Sequence, residues 1–103
     1  EALMLELGAG HGLVGLASAA LRPEASLVLT DAPPLLPFAE RSLAANAAEL
    51  ASRTTVRPLP FGDAAALEAL LGEFPHRARE DAPGPALLAL GAGICYWECV
   101  YSP

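Results

Sequence analysis

The chain has 103 residues, a formal charge of −6 and a pI near 4.7, and its basic residues are all arginines, so no basic stripe is available to neutralise a nucleic-acid backbone. At 53% hydrophobic, 17% charged and mean hydropathy +0.39 it is too apolar for disorder, and no run reaches the roughly 18 apolar residues of a membrane span. What remains is one soluble domain with a modest core, since a chain of this length buries only about 60 to 65% of its unfolded surface.

ALMLEL (2 to 7) is a short apolar run closed by glycine and predicts a buried strand. LVGLASAALR (13 to 22) has helical content and stops before Pro23. SLVLT (26 to 30) is a second buried strand running into Asp31, and the prolines of DAPP punctuate the entry to a helix. Within LLPFAERSLAANAAELASR, Leu36, Ala39, Leu43, Ala47 and Leu50 recur at three- and four-residue steps, predicting one helix with a single packed face and Glu40, Arg41 and Glu49 in water. TTVRPLPF (54 to 61) reads as a third strand, its two prolines favouring an edge. DAAALEALLGEF (63 to 74) is a short helix, PHRAREDAPGP (75 to 85) a surface loop, and ALLALGAGI (86 to 94) a fourth strand. Strands alternating with helices indicate an α/β fold with a parallel sheet covered on both faces.

Cys95 and Cys99 are spaced for one helical face rather than a disulfide, and no second Cys/His pair completes a metal site; they read as reduced packing thiols. His76 and the charges of the 75 to 85 loop read as solvated. The chain opens on Glu1, already close to a strand pattern, and ends on Pro103, which suggests a fragment without a signal peptide.

The chemistry concentrates in Leu5 to Gly15, LELGAGHGLVG. A glycine-rich turn between strand and helix lets a ligand touch backbone and offers it the free N–H groups of a helix start, as nucleotide-like cofactors require. Gly10, Gly12 and Gly15 match G-x-G-x-x-G, and Asp31 follows Gly12 by 19 positions, the place of a ribose-binding acid in a dinucleotide fold. Glu6 argues for a different ligand. A carboxylate beside the turn opposes a pyrophosphate but suits the cationic part of a zwitterion such as S-adenosylmethionine.

Glu6-Leu7-Gly8-Ala9-Gly10-His11-Gly12 resembles the E-x-G-x-G-x-G first motif of class I, seven-β-strand S-adenosylmethionine-dependent methyltransferases. The longer stretches ELGAGHGLVGLASA, VLTDAPPLLPFAERSLAANA, VRPLPFGD and LGAGICYWE are similar to the methyltransferase-like protein-lysine methyltransferases of family 16. The resemblance implies that Glu6, Gly8, Gly10 and Gly12 hold the methionine and ribose portions of the cofactor and that Asp31 takes the ribose hydroxyls. It further implies that Phe61 and Gly62 line the adenine, that Asp63 accepts from its amino group, and that Ala92 and Tyr96 sit at the fourth-strand end, lining the substrate lysine channel. Tyr96 would act in catalysis; Tyr96 and Trp97 next to Glu98 read either as a mouth for a cationic side chain on a protein substrate or as core or interface aromatics at the start of a helix. His11 is a weaker candidate, in a motif position the family fills variously.

The chain departs from the family pattern at Gly93, where the strand-end motif has an acid, and at Leu87, where another acid is usual near the strand start. Amine methylation needs the nucleophile oriented and the spreading positive charge balanced, so a rival reading is a catalytically inactive methyltransferase-like binding module. A second rival is an NAD-binding protein. The resemblance also implies seven strands, of which this chain supplies the first four in the order 3-2-1-4, a single partial domain (1 to 103). It predicts a cytoplasmic or nuclear protein whose open fourth-strand edge invites self-association.

Overall fold

The computed structural model describes residues 2–74 and 86–93. Four parallel strands form its sheet: β1 (Ala2–Leu7), β2 (Ala25–Asp31), β3 (Thr54–Pro58) and β4 (Leu87–Gly91), in the order β3-β2-β1-β4. Helices α1 (Leu13–Ala20), α2 (Leu36–Ala44), α3 (Ala48–Ser52) and α4 (Ala64–Glu73) connect them. The expected α/β architecture and strand order are therefore found.

The central strands are continuous apolar runs because both their faces are covered. Met4, Leu27 and Leu29 point to one layer with Leu16, Ala19, Ala39 and Leu50 from α1, α2 and α3; Leu3, Leu5 and Val28 point to the other, with Leu70 of α4. Complete burial of a leucine or valine side chain stabilises by about 1.5 to 3 kcal/mol, and Leu3, Leu27, Val28 and Leu29 are each no more than 1% exposed. β3 lies at the sheet edge, where Pro58 opposite Asp31 forfeits no ladder bond on its open side.

The helix predicted across residues 35 to 53 is divided: a 3-10 turn (Pro33–Leu35) leads into α2, and α3 begins only at Ala48. Asn46 is the cause. Its side-chain amide donates to the Ser42 carbonyl at 2.7 Å, the acceptor a continuing helix would give to the Asn46 backbone, while that backbone N–H turns to Leu43. Ala47 is then extended and exposed rather than packed, and Leu50 returns to the core from α3. Two smaller boundaries also move: α1 stops at Ala20, and the third strand stops at Pro58 before Leu59 to Asp63 turn toward α4.

The strand order reverses between β1 and β4. In open parallel sheets the crevice beyond the carboxyl ends of two such strands is where ligands bind, and the glycine turn leaves β1 at that point.

Candidate functional site

Three segments meet at the carboxyl ends of β1, β2 and β4. Leu7 of β1 pairs with Gly91 of β4, and Glu6 pairs with Leu29 of β2, so the Gly8 to Gly12 turn, Thr30-Asp31 and Gly91 to Gly93 emerge side by side. The turn is held from below. Ala9 N–H donates to the Thr30 carbonyl at 2.8 Å, and Gly12 N–H closes the turn on the Ala9 carbonyl at 2.8 Å.

Gly10 has φ +56°, and a Cβ there would meet nothing within 4 Å. The absent side chain relieves no clash; the left-handed backbone requires glycine, and the open space above it leaves the main chain bare to a ligand. Its N–H donates to Asp31 Oδ2 at 2.9 Å, while Asp31 Oδ1 accepts from Ala32 N–H at 2.8 Å. A carboxylate has about four acceptor sites, so half-buried Asp31 spends one on each oxygen and keeps acceptor capacity on both for a pair of hydroxyls.

Glu6 is also brought to the turn, with its carboxylate directed under α1. The side chain is 2% exposed, and Oε1 accepts from Gly15 N–H at 2.9 Å. That N–H is one of the first-turn donors a helix cannot satisfy itself, and Gly12, the residue preceding α1, has no side chain to cap it. Burial pushes the Glu6 carboxyl above its ordinary value; the Gly15 bond pulls it down, and the negative charge of Asp31 adds to the rise.

In the sequence Gly15 stands out only as part of G-x-G-x-x-G; in the structure its role is contact. A Cβ at Gly15 would lie 2.6 Å from Glu6 Oε1 and 2.7 Å from Leu29 Cδ2. Thr30 is a site residue that the sequence does not single out. It is completely buried, and its hydroxyl donates to the Glu6 carbonyl at 2.6 Å. No sequence period marks such a bond, because its partner is 24 residues away.

Beyond Leu7, a cavity of about 260 Å³ is lined by Leu59, Pro60, Phe61, Gly62, Asp63, Ala64 and Leu67. Phe61, Gly62 and Asp63 are thereby gathered at one mostly apolar recess. Asp63 also precedes α4 and caps it, with Oδ1 accepting from Ala66 N–H at 2.9 Å. His11 packs its ring edge-on against Phe38 of α2, centroids 5.0 Å apart, and Arg41 lies over the same phenylalanine. Ala92 and Gly93 are exposed just past β4, Gly93 with φ +65°. Tyr96, Trp97, Glu98, Cys95, Cys99 and His76 lie outside the described residues. Among the described residues no group of three or more His, Cys, Asp or Glu side chains could hold a metal ion, and no helix is long and apolar enough to cross a membrane.

The sequence model of a family described as lysine methyltransferase matches residues 1–73, from the first strand through α4. The chain belongs to this lysine methyltransferase family. No curated protein matches the chain. Within the family match fall the glycine turn, Asp31 and the Phe61-Gly62-Asp63 recess, whereas Ala92 and Gly93 follow it. Membership makes the domain a class I methyltransferase domain and implies S-adenosylmethionine as methyl donor and a protein as substrate.

Proposed function

We propose that this chain is the cofactor-binding part of a protein-lysine N-methyltransferase. The observation that carries the reading is the cradle at Gly10 and Asp31: bare backbone under open space, beside a carboxylate with acceptor capacity on each oxygen. Gly8, Gly10 and Gly12 accommodate the methionine and ribose portions along the turn, and Asp31 accepts from the ribose hydroxyls. Phe61 and Gly62 supply the apolar recess for the adenine ring; Asp63, with Oδ2 outside its capping bond, accepts from the exocyclic amine. Ala92 borders the crevice from the β4 side, and the family resemblance assigns Tyr96 and Trp97, outside the described residues, to the substrate. S-adenosylmethionine supplies a methyl group made electrophilic by its sulfonium.

The same cradle weighs against a dinucleotide. Gly15, the last glycine of G-x-G-x-x-G, is accounted for by its contact with Glu6 and Leu29, with no pyrophosphate needed to explain it. The binding-module reading draws on a different observation, the bare Gly93 where the family pattern has an acid.

A transfer assay on the protein separates the two, with labelled S-adenosylmethionine as donor, lysine-bearing proteins as acceptors, and Gly93→Asp as the comparison. Space is open around a Cβ at this position, and aspartate tolerates left-handed backbone better than most residues. Label on lysine with the wild-type chain supports the methyltransferase. Cofactor binding without transfer, and transfer gained by Gly93→Asp, supports the binding module.

A further inference from the structure

The glycine turn is pinned at its entry and its exit by two buried side chains that have no surface to offer a ligand. At the entry, the Thr30 hydroxyl donates to the Glu6 carbonyl at 2.6 Å, and the Thr30 carbonyl accepts from Ala9 N–H at 2.8 Å. At the exit, Glu6 Oε1 accepts from Gly15 N–H at 2.9 Å, which fixes the first turn of α1 against β1. Thr30 is 0% exposed and Glu6 2%. Between these anchors, Gly10 N–H reaches Asp31 Oδ2, and Asp31 is the chain neighbour of Thr30. A shift at Thr30 is therefore transmitted to both sides of the cradle.

We propose that Thr30 and Glu6 are positioning residues for the cofactor turn: they set the separation of Gly10 and Asp31 through hydrogen bonds to main chain, and Glu6 acts as an acceptor on Gly15 rather than as a charge on the ligand. The proposal rests on the cofactor reading above and adds that an acceptor oxygen at position 6 and a hydroxyl at position 30 are what the turn requires. Main-chain groups held beforehand cost no ordering when the ligand arrives. Losing one buried hydrogen bond at such an anchor converts to about three- to tenfold in affinity.

The test uses the full chain and four variants, Thr30→Val, Thr30→Ser, Glu6→Gln and Glu6→Ala, each titrated with S-adenosylhomocysteine below its own melting temperature. Thr30→Ser keeps the hydroxyl but loses a buried methyl, so it lowers the melting temperature while retaining affinity. Thr30→Val keeps the branched shape and loses the hydroxyl, so affinity falls by about three- to tenfold. Glu6→Gln keeps an acceptor for Gly15 and binds more tightly than Glu6→Ala by a similar factor. Thr30→Val binding like wild type, or Glu6→Gln as impaired as Glu6→Ala, overturns the proposal.

Amide exchange without ligand is the second readout, applicable even if Glu6→Ala does not fold. Thr30→Val is expected to speed exchange at Ala9, Gly10 and Gly15 relative to Leu3 and Leu5 in the same strand; unchanged rates at those three amides overturn the proposal. A wild-type chain that ignores S-adenosylhomocysteine defeats the cofactor reading, and the exchange rates then decide the positioning role alone.

Discussion

Gly15 and Glu6 show how one site residue is shaped by another. The carboxylate fills the space where a Gly15 side chain would stand, so Gly15→Ala must displace both Glu6 and Leu29, each buried. Overpacking of this kind costs about 1 to 3 kcal/mol, which thermal melting would register; an unchanged midpoint would contradict the packing described. Glu6 also carries a sign. Its folded pKa is raised above 4.5, chiefly by desolvation, so the folded state holds the proton more tightly and the ionised group is a cost. That cost is absent below pH 4.5 and grows as pH rises through the folded value. Glu24 and Glu49, lowered by their bonds to Arg22 and Arg53, act oppositely, losing stability as pH falls below 4.5. Glu6→Gln is therefore expected to be favoured over wild type increasingly as pH rises from 4.5 towards neutrality, with the two compared by denaturant unfolding across that window. A stability difference independent of pH would show that Glu6 is not buried in its ionised form.

At the level of the elements, α1 is held at its end by a residue outside itself. The Arg53 guanidinium, after α3, donates to the carbonyls of Ala19 and Arg22 at 2.8 and 3.1 Å and to Ala25 at 2.9 Å. It thus caps the end of α1 and ties it to the start of β2, and Glu49 holds the guanidinium from the other side. Arg53→Ala is expected to cost about 1.5 to 3 kcal/mol in urea unfolding, the range of hydrogen bonds from a charged donor; a cost under about 0.5 kcal/mol, typical of a surface ion pair, would contradict the capping role. This capping was not legible in the sequence, where Arg53 is one arginine in a polar segment. β1, β2 and the Asp31 at the end of β2 were legible, because strands buried on both faces write themselves as unbroken apolar runs and a glycine turn interrupts such a run abruptly. The break between α2 and α3 was not: the apolar spacing continues through Ala47, and only the competition of the Asn46 side chain for a helix carbonyl ends the first helix. Asp31 announced itself by spacing, whereas Thr30 and the direction of the Glu6 carboxylate depend on contacts between separate strands and a helix.

Among the described residues the sheet has two edges, β3 and β4. β3 closes its edge with Pro58, while β4 pairs with β1 alone among the described residues, and Leu87, Leu88 and Leu90 are only partly buried. An apolar strand with unpaired main-chain groups is a template for a second strand. Sedimentation of the chain is therefore expected to show concentration-dependent association through β4; a single monomeric species at all concentrations would contradict it. The Gly10 and Asp31 cradle does not depend on that edge, since its parts come from the β1 turn and the β2 end.

If Gly10 and Asp31 hold the ribose end of S-adenosylmethionine, calorimetric titration of the folded chain and of Asp31→Ala with S-adenosylhomocysteine will show it. The wild-type chain is expected to bind in the micromolar range, about −8 kcal/mol, and Asp31→Ala to lose that binding. A folded wild-type chain that takes up no ligand, or an Asp31→Ala variant that binds equally well, would contradict it.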